Sequence, residues 1–210
     1  MIWDLDGVLV DSARFHYEAF RQLMQEMGKD LGEAEFRRLF GLRNETILRE
    51  LLGDLSPSEM GALATRKEEI FRGRIAGRVR PLPGAKDLVS RLSAAGIPQA
   101  IASSTPRANI ELILRSLGLA RAFAAVVGEE DVWVGKPDPE GFLTAARQLG
   151  VPPEGCVVIE DAPEGLAAAR AAGMRSIGVA TTRRPEQLSE ADLVVATLED
   201  PDLQTFLRDG

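Results

Sequence analysis

Val157-Val158-Ile159-Glu160-Asp161, followed by a helical pattern that begins near Glu164 and then by Ser176-Ile177-Gly178-Val179, decides the fold. Two short apolar runs with a helix-length segment between them suit strands buried on both faces and joined by a crossover helix. The polar pair Glu160-Asp161 falls where the first of these strands hands over to its helix.

The same alternation extends outward. Ile97 to Ala102, Ala122 to Val127 and Leu193 to Val195 read as further strands, and helical patterns begin near Ala85, Pro106, Pro139 and Pro185. At the other end, Met1 to Leu5 reads as a very short strand closed by a turn at Asp6-Gly7. Buried strands alternating with helices imply an α/β fold, a Rossmann-like doubly wound parallel sheet.

Residues 13–78 interrupt the alternation with helix after helix. Phe15, Ala19, Leu23 and Met27 are spaced for one helical face that Gly28 would end. Asn44 is expected to cap a helix carrying Ile47, Leu48, Leu51 and Leu52, with Gly53 ending it. Ser56-Pro57-Ser58-Glu59 is a stronger start signal: Ser as cap, Pro in the first turn, and Glu three residues on to close a capping box. This block lies within the first βα crossover. It is therefore expected to form an all-helical cap domain over 13–78, inserted in a discontinuous core of 1–12 and 79–210, with hinges near Ser12 and Val79.

Length and composition agree with one α/β core plus an insertion: 210 residues, 45% of them apolar. With eight Phe, two Trp and one Tyr, the core must rely on Leu, Val, Ile and Ala. A formal net charge of -7 argues against a nucleic-acid partner held by bulk electrostatics. Cys156 is the sole cysteine, which excludes an intrachain disulfide, suits a reducing compartment and is expected to be buried rather than reactive. No apolar run approaches the roughly 18 residues of a membrane span. Met1-Ile2-Trp3-Asp4 offers neither a basic region nor a signal-peptide core. The expectation is a cytoplasmic monomer with no membrane partner.

Four polar clusters follow expected strands or their loops: Asp4 and Asp6 with Asp11-Ser12; Ser103-Ser104-Thr105; Lys136-Pro137; and Glu160-Asp161. Open α/β sheets bind ligands at the carboxyl ends of their strands, so the four are expected to converge. Asp4 and Asp6, at i and i+2, would share one side of an extended strand, and two anions that close call for a cation. Asp161 adds a third oxygen donor, giving a hard-oxygen site suited to Mg²⁺. Thr105-Pro106 reads as the N-cap and first position of a helix, so Ser103, Ser104 and Thr105 can offer hydroxyls and N–H groups to a phosphate. Lys136 brings a point charge against it.

Asp4-Leu5-Asp6-Gly7-Val8-Leu9-Val10-Asp11-Ser12 resembles the first motif of the haloacid dehalogenase-like superfamily, and Ser103, Lys136 and Glu160-Asp161 fall where its other three motifs belong. The likeness covers almost the whole chain and is strongest to the beta-phosphoglucomutase-like and sugar-phosphatase branch. Only three residues precede Asp4, fewer than such proteins usually carry, which implies either a clipped first strand or a misassigned start site. The resemblance implies that Asp4 attacks phosphorus to form an aspartyl-phosphate and binds Mg²⁺. It implies that Asp6 is the general acid/base and lends its carbonyl to the metal, that Ser103 and Lys136 hold the phosphate, and that Asp161 completes the metal site with Glu160 supporting it. His16, Arg43 and Lys67 match basic cap residues that face substrate in beta-phosphoglucomutase-like proteins. The implied function is a Mg²⁺-dependent phosphatase of a small phosphorylated metabolite, with beta-phosphoglucomutase as the alternative and a phosphoacceptor signalling module as a distant third.

Overall fold

The computed structural model describes residues 1–208, which divide into two compact units, one of 1–11 with the chain from 79 onward and one of 12–78. The first, a core unit, holds a six-stranded parallel sheet of β1 (Ile2–Trp3), β2 (Ala100–Ala102), β3 (Ala125–Val127), β4 (Val157–Glu160), β5 (Arg175–Val179) and β6 (Leu193–Val195). The spatial order is β3-β2-β1-β4-β5-β6. From β1 the chain builds outward to β2 and β3, then crosses to β4 on the other side, so the switch point lies between β1 and β4.

β1 has two residues, yet it is the most enclosed strand. Ile2 pairs with Ala100 and Val158, Trp3 pairs with Ile101 and Ile159, and all six side chains are fully buried. Two neighbours complete its backbone hydrogen bonding where length does not.

The second unit contains α1 (Ala13–Glu26), α2 (Glu33–Leu39), α3 (Asn44–Leu52) and α4 (Pro57–Ile75). The Ser56 capping box starts α4 as expected: Glu59 N donates to Ser56 Oγ at 3.3 Å and Ser56 N donates to Glu59 Oε2 at 2.9 Å. The face of α1 is Ala19, Phe20, Leu23 and Met24, whereas Met27 sits past the helix end and is 42% exposed. Asn44 is the first residue of α3 rather than its cap, and its amide donates to Glu68 at 2.7 Å.

The core helices are α5 (Ala85–Ala94), α6 (Arg107–Leu117), α7 (Glu140–Leu149), α8 (Pro163–Ala171) and α9 (Pro201–Arg208). On one sheet face, Ile2, Ala100, Ala102 and Val158 join one apolar cluster with Phe142, Ala145 and Ala146 of α7, Ala168 and Ala169 of α8, and Cys156. The alanines let these helices approach the sheet closely. Cys156 is buried, and burial pushes its thiol pKa up.

Two expected strands start late because the preceding helices end in glycine caps. Gly96 has φ 73° and Ile97 N returns to Leu92 O, so Ile97 belongs to a Schellman-type stop of α5 and is 43% exposed. Gly118 ends α6 the same way, leaving Ala122 in a turn and β3 to begin at Ala125. The helix expected from Pro185 is a single 3-10 turn, Pro185–Leu188.

Candidate active site

Beyond Trp3 the β1 ladder makes one more bond, Asp4 N to Ile159 O at 3.0 Å, which plants Asp4 at the switch point with 6% of its surface exposed. The chain then turns. Leu9 N returns to Leu5 O and Gly7 N to Val10 O, and Gly7 takes φ 85°. A Cβ at Gly7 would overlap the Asp161 carboxylate and crowd the Thr182 methyl, so glycine is required for space as well as for conformation. Asp4 and Asp6 were expected to share one side of an extended strand, but the strand ends at Trp3. The bend directs them to different partners.

Asp4 Oδ1 accepts from Lys136 Nζ at 2.6 Å. Asp6 Oδ2 accepts from Thr105 Oγ1 at 2.5 Å. The helix after β2 begins at Arg107 with Pro106 as its N-cap, one position later than expected. Thr105 therefore lies outside the helix, and its hydroxyl serves Asp6 instead of capping. Ser103 is buried at the end of β2, with its N–H on Val127 O and its Oγ accepting from Thr105 N at 3.2 Å. Ser104 is exposed.

Lys136 arrives on the long connection after β3. Glu140 braces that connection by accepting from the N–H groups of Trp133 and Val134, each at 2.9 Å. The Lys136 ammonium joins Asp4 and Glu160 and lies 5.0 Å from the centre of the Phe142 ring. Glu160, 1% exposed, gives Oε1 to Lys136, while its Oε2 accepts from the N–H groups of Asp161 at 2.8 Å and Ala162 at 2.9 Å. Gly165 makes the room: a Cβ there would fall on the Glu160 carboxylate. Asp161 Oδ2 accepts from the Thr182 hydroxyl, and the Thr181 hydroxyl donates to Gly7 O.

The charges are out of balance. Burial raises the Asp4 pKa well above the ordinary carboxylate range; Lys136 lowers it in part, and Glu160, Asp161 and Asp6 raise it further. Asp161 is pushed up to about 7, by burial first and then by Glu160. Burial alone would lower the Lys136 pKa, but the Asp4 and Glu160 carboxylates raise it above its ordinary value, so it stays charged.

A divalent cation fits these donors. The strained charges belong to hard oxygens on Asp4 and Asp161, at the end of β1 and just past β4, respectively, and those two strands flank the switch point. Among the described residues no three His, Cys, Asp or Glu side chains form a ready-made cage. Two carboxylates completed by a backbone carbonyl, water and a substrate phosphate describe how Mg²⁺ is usually held, and a full protein cage does not.

The core unit thus collects Asp4, Asp6, Ser103, Thr105, Lys136, Glu160 and Asp161 at one sheet edge. Thr181, Thr182 and Gly165 were not anticipated. The two threonines come one residue after β5, so the same strand-end rule that flagged the other clusters applies to them. The remaining basic positions lie in the helical unit. His16 Nδ1 is 2.8 Å from Lys67 Nζ, its ring stacks on Phe71 at 4.1 Å, and Lys67, 1% exposed, pairs with Glu68 at 2.7 Å. Burial, then the Lys67 charge, holds the His16 pKa well below 6.5, so the ring is neutral and accepts from the lysine. Arg43 is half-buried at the N-cap of α3.

The chain belongs to the haloacid dehalogenase-like hydrolase family, whose model matches residues 1–173. Within that family it is similar to sugar phosphatases and beta-phosphoglucomutases. It is 36% identical over 200 residues to hexitol phosphatase A of Escherichia coli, covering 94% of this chain and 90% of that one. A chloroplastic 5-amino-6-(5-phospho-D-ribitylamino)uracil phosphatase of Arabidopsis thaliana is 35% identical over 202 residues; the match takes in 95% of this chain but spans only 54% of the plant protein. The crystal structure of a beta-phosphoglucomutase from Clostridium difficile superposes with a TM-score of 0.86 at 29% identity, over 99% of this chain and 94% of that one. Among the described residues, no helix is long and apolar enough to cross a membrane.

Proposed function

We propose that this chain is a Mg²⁺-dependent phosphatase that dephosphorylates a small phosphorylated sugar or polyol through an aspartyl-phosphate on Asp4. The observation that carries the reading is the contrast between the two aspartates. Asp4 is buried and faces a cation, Lys136, while Asp6 is half-buried and held by a neutral hydroxyl, that of Thr105. The first arrangement suits a nucleophile that must meet an anionic phosphate. The second suits a group that must gain and lose a proton.

In this reading an Asp4 oxygen attacks phosphorus while the bond to the leaving oxygen breaks and Asp6 delivers its proton to that oxygen. Asp6 then takes a proton from water, whose oxygen attacks phosphorus and breaks the bond to Asp4, releasing inorganic phosphate. Lys136 and Ser103 hold the phosphoryl oxygens, with Ser104 and Thr105 beside them, and Glu160 fixes the lysine. A Mg²⁺ held by Asp4, Asp161 and the Asp6 carbonyl would neutralise charge on the transferring phosphoryl group. In this reading the helical unit is a cap domain that selects substrate, with half-buried Arg43 as its basic candidate, since His16 is neutral and Lys67 is buried against it and Glu68.

Mutase activity is the second reading, supported by the likeness to a beta-phosphoglucomutase over 99% of this chain. There a sugar hydroxyl replaces water in the second step. The test is phosphate release from a panel of sugar, polyol, glycolate and aryl phosphates with Mg²⁺, run beside β-glucose 1-phosphate with a bisphosphate activator. Asp4→Asn should abolish turnover. Release from no phosphomonoester, or an unchanged rate in Asp4→Asn, would sink the phosphatase reading. Stable labelling of Asp4 without turnover would favour a phosphoacceptor module.

A further inference from the structure

Thr181 and Thr182 follow β5, a strand whose loop no part of the reaction above uses. Their hydroxyls nevertheless reach two other loops of the site. Thr181 Oγ1 donates to Gly7 O, in the turn that carries Asp4 and Asp6. Thr182 Oγ1 donates to Asp161 Oδ2 and lies 3.5 Å from the Asp161 carbonyl oxygen. The packing at this point is close: a Cβ at Gly7 would overlap the Asp161 carboxylate and come within 2.9 Å of Thr182 Cγ2. Asp161 itself is 6% exposed, so its neighbours rather than solvent set its orientation.

We infer that the Thr181-Thr182 pair is a clasp that presets the metal-binding geometry, with Thr182 as a positioning residue for Asp161. The inference rests on the reading of Asp4 and Asp161 as Mg²⁺ ligands. By occupying Oδ2, the Thr182 hydroxyl fixes the rotation of the carboxylate and leaves the other oxygen to a cation. By holding the Gly7 carbonyl, Thr181 fixes the peptide next to the Asp6 carbonyl. The two loops that must supply oxygens to one ion are thereby tied to a third element before the ion arrives. A carboxylate free to rotate would have to be ordered on binding, and hydrogen bonds that orient metal-ligating side chains are worth about 10–100-fold in metal affinity.

Isothermal titration of Mg²⁺ into metal-free protein tests this without recourse to activity. Thr182→Val and Thr182→Ala should each weaken Mg²⁺ binding about 10-fold or more, and Thr182→Ser should restore it to within about twofold of the parent. At saturating Mg²⁺ the kcat of Thr182→Val should approach that of the parent, because the side chain orients a ligand and touches no reacting atom. Parent-like affinity in Thr182→Val and Thr182→Ala would overturn the inference. So would an equal loss in Thr182→Ser, which would assign the effect to the methyl group. Absence of Mg²⁺ binding in the parent would instead remove the metal reading, and the clasp with it.

Discussion

Asp161→Asn should make the metal-free protein more stable while removing its Mg²⁺ response. Asp161 is 6% exposed and titrates at about 7 instead of its ordinary 3.8, because burial and the Glu160 charge outweigh the Thr182 hydroxyl and Lys136. Keeping such a carboxylate ionised at neutral pH costs the fold about 4 kcal/mol. Asparagine has nearly the same shape and can still accept from Thr182, but it buries an NH₂ group, which takes back about 1–3 kcal/mol. The net gain expected at pH 8 is therefore about 1–3 kcal/mol, near 2–4 °C of melting temperature per kcal/mol.

Its pH dependence follows from the direction of the shift. The folded-state pKa is raised, so folded Asp161 holds a proton that the unfolded chain has already lost. Stability consequently falls as pH rises from about 3.8 to about 7, then levels off. Asp161→Asn lacks that slope, so its advantage should open across this window and stay constant above it. Urea unfolding in EDTA at pH 5 to 8 measures the difference. Both tryptophans, Trp3 and Trp133, lie in the core unit, so their fluorescence reports the unit that holds Asp161. Added Mg²⁺ should raise the parent's stability and leave the variant's unchanged. An advantage independent of pH, or a variant less stable than the parent at pH 8, would refute the reasoning.

Asp6→Asn should slow turnover about 10²–10⁴-fold, most with poor leaving groups; equal rates for aryl and alkyl phosphates in the variant would count against Asp6 as the acid. Gly165→Ala drives a methyl into the Glu160 carboxylate and should destabilise the core by about 1–3 kcal/mol, read by the same tryptophan fluorescence. Ser56→Ala removes the α4 capping box and should cost about 1 kcal/mol, seen as lower far-ultraviolet helical signal near the melting transition, without a change in kcat.

The clusters at Asp4, Ser103, Lys136 and Glu160 were legible because each follows an apolar strand or its loop, and a parallel sheet brings such ends to one edge. The apolar runs at Val157 and Leu193 were equally plain. Ile97 and Ala122 misled because an apolar residue beside a strand reads like the strand itself, while Ile97 closes the Gly96 cap of α5 and Ala122 lies in a turn just past the Gly118 cap of α6. Thr105 read as a helix cap because Ser, Thr and Pro before a helix usually are one; contact with Asp6, 99 residues away, gives it another partner. Met27 shows the same limit in the helical unit, where the periodicity continues for one residue after the helix has stopped.

By itself, the sequence determined which strands and helices alternate, that a helical block interrupts them, and which carboxylates and which lysine meet at the sheet edge. All of these depend on short-range pattern and on the direction of parallel strands. Tertiary structure decided the pairing within that edge: Lys136 between Asp4 and Glu160, Thr105 on Asp6 and Thr182 on Asp161; within the helical unit it turned Lys67 inward to His16 and Glu68. Those partners lie far apart along the chain, with the exception of Glu68, and side-chain reach and burial choose between them. Residue type and spacing carry no record of that choice.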